Sequence, residues 1–131
     1  MPGNNETVDW RRLCEFAGVD LTGSFVLTWH LEANTLFVDS DLLLLPEHPS
    51  YEKPRPAEKV CIRPAIMEFP FCTGVSVDGS KGSDIKGFVS RLGHGAITGM
   101  QRCGDGRYQL QGEFGIVVID AERPVLRLKG L

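Results

Sequence analysis

The strongest constraint in this chain is a two-residue period on either side of Ala33-Asn34. In "SFVLTWHLE" the large apolar residues are Phe25, Leu27, Trp29 and Leu31. In "TLFVDSDLLLL", Leu36, Val38, Leu42 and Leu44 recur in the same rhythm. Alternate residues of a strand point to opposite faces, so each stretch predicts a strand with one buried face. Asn tolerates the left-handed backbone that a two-residue hairpin turn requires. With Ala33-Asn34 as the loop, Glu32 opposes Thr35, Leu31 opposes Leu36 and Trp29 opposes Val38. A slip of one residue would divide the apolar set between the two faces, so this register is well specified.

The same reading extends along the chain. "KVCIRPAIMEF" and "FCTGVSVDG" have strand composition, with a bend at Phe69-Pro70-Phe71. Pro64 cannot donate to a ladder, which predicts that its strand is an edge or is bulged there. "AITGMQRC" and "RYQLQGEFGIVVID" flank Gly104-Asp105-Gly106, a hairpin signal. Within the second of these, Gly115 is placed as a bulge where a half-solvated strand becomes apolar on both faces. "VLRLKGL" closes the chain.

Two helices are expected. Trp10, Leu13, Cys14 and Ala17 follow helical spacing over 8–17, with Thr7 as N-cap and Gly18 as stop. Ile85, Phe88, Val89 and Leu92 fit a second short helix near 84–92, with Ser83 as cap, and a strand there remains the alternative. The sum is a single domain over 1–131, mainly β. It is an antiparallel meander of about seven strands, forming a barrel or a strongly curved sheet, with a short N-terminal helix.

Charge narrows the function classes. With 14 basic against 17 acidic residues the net charge is −3. That lacks the basic footprint of nucleic-acid or anionic-membrane binding. The longest apolar run, residues 42–45, is far too short for a membrane span. The start of the chain has no secretory pattern, so a cytoplasmic location is expected. Cys14, Cys61, Cys72 and Cys103 form no C-x-x-C and are read as reduced thiols, mostly core residues. No cofactor is implied. No catalytic residue is assigned either: there is no G-x-S-x-G elbow, and a pairing of His94 with a cysteine would be arbitrary.

Two constellations stand out. The hairpin register puts Thr28, His30, Glu32, Asp39 and Asp41 on the face opposite the core. His30, Asp39 and Asp41 are the candidate metal or acid–base group, and a solvated outer face is the alternative. The second is "PEHPSYEKPRP", residues 46–56, within a connection of about 13 irregular residues. Its prolines stiffen it and its charges balance. His48, Tyr51, Arg55 and, in the following strand, Arg63 are the candidate ligand or partner contacts. These features favour a small non-enzymatic binding or interaction protein, acting through this loop and an edge strand, or self-associating there as a homodimer. The alternatives are a small-ligand carrier with a cavity lined by Trp29, Met67 or Phe88, and an enzyme or metal site on the His30 face.

Overall fold

The computed structural model describes residues 7–82 and 84–129. Nine strands form one antiparallel sheet: β1 (Thr7–Asp9), β2 (Val19–Glu32), β3 (Thr35–Leu44), β4 (Cys61–Phe69), β5 (Gly74–Val77), β6 (Gly95–Cys103), β7 (Arg107–Gly112), β8 (Gly115–Asp120) and β9 (Val125–Leu128). Among the described residues one α-helix, α1 (Ile85–Ser90), precedes β6. The strand order is β5-β8-β7-β6-β2-β3-β4-β9, with β1 also paired to β6. Two meanders, β2-β3-β4 and β6-β7-β8, are thus joined by the β2–β6 pair. The chain crosses between the halves after β4 and again after β8, so each half gains its edge strand from the other.

The sheet curls but is not a barrel. The Phe69 ring of β4 meets the Tyr108 ring of β7 edge-on at 5.7 Å, although four ladders separate those strands. Closure would need the two terminal strands to hydrogen-bond to each other. Instead β5 pairs only with β8, and β9 only with β4. The space between the halves is filled by one apolar cluster that includes Leu36, Met67, Phe69, Tyr108, Leu110 and Ile119.

The central hairpin has the expected register through Trp29–Val38. Ala33 and Asn34 have φ of 50° and 66°, the doubly left-handed geometry of a two-residue turn. The parity then changes. Val26 pairs with Ser40 and Thr28 with Asp39, which leaves Leu27 as an extra residue on β2. A bulge of this kind moves the residues beyond it to the opposite face. Val26 is therefore 1% exposed, while Phe25 and Leu27, expected in the core, are 45% and 46% exposed. A second irregularity lies between Asp20 and Phe25. There the Ser24 hydroxyl donates to Asp20 O at 2.8 Å and accepts the Leu43 N–H at 2.9 Å. One buried side chain so takes the place of missing ladder bonds while β2 bends.

Three further expectations are corrected. The segment 8–17 is not a helix: β1 is followed by two 3₁₀ turns, Trp10–Arg12 and Cys14–Phe16. The residues buried are Trp10, Leu13, Phe16 and Val19, a period of three that matches 3₁₀ rather than α geometry. Asp9, not Thr7, supplies the cap, accepting the Arg11 N–H at 3.0 Å. Residues 107–120 are not one strand bulged at Gly115. They form the hairpin β7–β8, with Gly112 opposite Gly115 and Glu113-Phe114 as its turn. Phe114, within the stretch expected to be strand, is a buried turn residue packed edge-on against Trp29 at 5.4 Å.

Finally, β4 is neither an edge nor bulged, since its ladder with β3 is unbroken from Leu36–Phe69 to Leu44–Cys61. In an antiparallel strand the N–H and C=O of one residue point the same way. Pro64 O accepts the Lys129 N–H at 2.9 Å, so the donor that Pro64 lacks would face the end of β9. The β3 side loses nothing. The helix α1 does fall within 84–92; Ser83, its expected cap, lies outside the described residues.

Candidate functional site at the open edge of the sheet

The outer face of the central hairpin holds the predicted polar cluster, but its members do not converge on one point. The Asp39 carboxylate accepts the Thr28 hydroxyl at 2.9 Å and the Lys129 ammonium at 2.7 Å. His30 stacks on Phe37 at 4.9 Å. Asp41 sits opposite Phe25 on one side and Pro64 on the other. Among the described residues, no three His, Cys, Asp or Glu side chains come together in a way that could hold a metal ion. Burial pushes the Asp39 carboxyl up, yet the hydrogen bonds from Lys129 and Thr28, with the charges of Lys129 and His30, outweigh it. Asp39 is held below its usual value of 3.8.

A depressed carboxyl pKa stabilises the fold above the unfolded value and loses that contribution as pH falls through the folded one. Urea unfolding of the wild type and Asp39→Asn should therefore differ at about pH 6 by up to about 1 kcal/mol, as for a partly exposed ion pair. That difference should shrink below about pH 4. A difference that stays constant on acidification would remove Asp39 as its source.

Of the four candidate contact residues of the Pro-rich connection, the fold brings only Arg55 and Arg63 into one cleft. The loop is anchored where Gly18 turns with φ of 77°, and Leu45 N–H donates to Gly18 O at 2.8 Å. His48 follows, with Nδ1 accepting the Ser50 N–H at 3.0 Å. Tyr51 packs against the core cluster. Arg55 is exposed, and its own N–H is taken by Glu58 Oε1 at 3.2 Å. Arg63 is bound by Glu52 at 3.3 Å, which ties the loop back onto β4. Arg55 and Arg63 line a charged cleft with Lys53 and Lys129, and His48 lies elsewhere.

His48 contributes instead to a cleft of about 390 Å³ with Val19, Leu42, Pro49, Leu126 and Leu128. Its walls are mostly apolar, and one of them is β9. Lys129 N–H points towards β4, so the alternation of an antiparallel strand turns the N–H and C=O of Leu126 and Leu128 away from β4. Among the described residues these groups have no hydrogen-bond partner. The sheet therefore presents a short unpaired edge beside an apolar groove, with Val125 exposed at its start. The sequence named Leu126 and Leu128 only as a closing strand. Their alternation with Val125 and Arg127 was visible; that β9 caps β4 was not.

The remaining chemistry is sparse. All four cysteines are free thiols, Cys61 and Cys72 buried, Cys103 half-buried and Cys14 exposed. Burial pushes the Cys72 thiol up and so makes it less reactive. Trp29 and Met67, the proposed lining of an interior cavity, are packed in the core. No helix among the described residues is long and apolar enough to cross a membrane. In comparisons with known proteins, the chain matches no family model, no curated protein and no solved structure, so its own residues carry the functional argument.

Proposed function

We propose that this protein is a non-enzymatic binding domain that takes an extended peptide segment along the free edge of β9. The observation that carries this reading is the outward backbone of Leu126 and Leu128 lying beside the groove of Val19, Leu42, Pro49 and His48. An edge of this kind supplies main-chain hydrogen bonds to an added strand, and an adjacent pocket selects its alternate side chains. Pro49, with its fixed φ, forms part of the groove's wall, which limits the ordering cost on binding. Four residues is a short edge, which restrains indiscriminate strand pairing and suits a reversible contact. A second copy of the chain is one form such a partner can take.

Selection from a displayed peptide library tests the reading. Enriched peptides should share alternating apolar residues and bind at least about tenfold more weakly to Leu126→Pro, which removes an outward donor but spares the β4 ladder. Light scattering of the wild type separates self-association from binding in trans. A library that yields no enrichment, from a protein that is also monomeric, would overturn the proposal. So would selected peptides that bind folded Leu126→Pro as well as the wild type.

A further inference from the structure

At another place on the surface, the first 3₁₀ turns meet the end of β6 and the link between β8 and β9. A cleft of about 310 Å³ opens there, lined by Arg12, Glu15, Arg102 and Arg123 over an apolar floor that includes Val8 and Leu13. Its charged residues carry three positive charges against one negative, in a protein whose net charge is −3. The arginines come from three separate segments, so only the fold assembles them.

Two observations set this cluster apart from a solvated surface. First, Arg102 Nε is buried and has no hydrogen-bond partner among the described residues. A desolvated donor of a charged group is costly to leave unmet. Second, the one carboxylate that lines this cleft does not neutralise its three arginines. Glu15 is largely buried, with 12% of its side chain exposed, and its only ion-pair partner among the described residues is Arg123 at 3.8 Å. A neighbouring cleft shares Arg102 and Arg123 and is lined besides by Tyr108, Asp105 and Glu122, so the positive excess is confined to the first cleft. Burial pushes the Tyr108 phenol up, Glu15 and Glu122 add to this, and Arg102 and Arg123 oppose it, so two carboxylates and two guanidinium groups act on that ring's hydroxyl.

We infer that this cleft binds a small dianionic oxyanion, held by the guanidinium groups of Arg12, Arg102 and Arg123. Within the lining of this cleft the excess of two positive charges suits a dianion, and Asp105 and Glu122 border the arginines only from the neighbouring cleft. Planar guanidinium groups pair with phosphate or carboxylate through paired N–H donors. The chemistry fits a phosphate group or a dicarboxylate equally, and the site is independent of the β9 edge.

The test is isothermal titration calorimetry of the full chain in low-salt buffer, with inorganic phosphate in one arm and succinate in the other. A single saturable site is expected for at least one of them. Saturation by phosphate alone assigns the phosphate source, and saturation by succinate alone the carboxylate source. Affinity should fall at least about tenfold in Arg102→Gln and in Arg123→Gln, and remain unchanged in Arg63→Gln, which lies in a different cleft. Arg123 is 72% exposed in its side chain, so its variant tests the site even where Arg102→Gln disturbs the fold. No saturable heat with either anion, or undiminished binding by a folded Arg123→Gln protein, overturns the inference.

Discussion

Phe69→Ala is expected to destabilise the protein by about 3–5 kcal/mol, the range for truncating a buried aromatic side chain. Phe69 is fully buried at the end of β4, opposite Leu36 of β3. Its ring also makes the edge-on contact with Tyr108 that joins the two halves of the sheet. No β4–β7 hydrogen bond stands behind that contact, because the strands lie in different parts of the ladder order. Truncation would open a void between the halves, which the hydrogen-bonded strands on either side cannot collapse to fill. Urea unfolding followed by tryptophan fluorescence reads the loss. A cost below about 1 kcal/mol would mean that the halves are held chiefly by the β2–β6 ladder rather than by packing across the curl.

Gly112→Ala should cost about 3 kcal/mol, the upper end for forcing an extra methyl into a packed site. A Cβ at Gly112 would press on Ala96 O and come within 2.5 Å of the Phe114 ring. Neither can yield cheaply. Ala96 O accepts the Glu113 N–H at 3.0 Å, while Ala96 N–H donates to Glu113 Oε1 at 2.6 Å. Phe114 is held against Trp29, whose indole N–H donates to Gly93 O at 2.6 Å. The methyl therefore strikes a turn braced on two sides. Gly99→Ala is the control. Its new Cβ would meet only the flexible end of Gln111, at 3.5 Å. Removing backbone freedom from the unfolded chain should leave that variant neutral, or more stable by up to about 1 kcal/mol. Equal effects at the two positions would point to a general cost of losing glycine.

The two variants also mark where local sequence stopped being informative. Residues 29–38 were readable because the turn residues and the apolar period agree, and only one register satisfies both. Two residues earlier that agreement ends. Leu27 continues the apolar alternation in sequence, yet it is the bulged residue, and just beyond it Phe25 and Val26 pair with β3 on one side and β6 on the other. The turn at Glu113-Phe114 was missed for a related reason. Neither residue is a typical turn former, and Phe114 is in the turn because Trp29, distant in sequence, receives its ring. The 3₁₀ turns at 10–16 were legible in principle through Trp10, Leu13, Phe16 and Val19, but Cys14 and Ala17 also satisfied a helical spacing.

The candidate sites divide in the same way. The His30, Asp39 and Asp41 face was correctly placed opposite the core by alternation alone, but Lys129, which arrives from the far end of the chain, occupies Asp39. His48, Tyr51, Arg55 and Arg63 are near in sequence, yet only Arg55 and Arg63 share a cleft. The groove beside β9 and the arginine cleft join residues from opposite ends of the chain, and no local motif announces either.

What the amino-acid sequence determined by itself was the class of object: β strands with a two-residue period, the Ala33-Asn34 hairpin, its register and its inward face. These depend on neighbours a few residues apart, where backbone preference and apolar alternation act together. Only the tertiary structure decided which strand became the edge, where β2 bent, and which charged side chains met. Those outcomes depend on the two crossings between half-sheets, which bring together residues far apart in the chain and whose direction no local energy term sets.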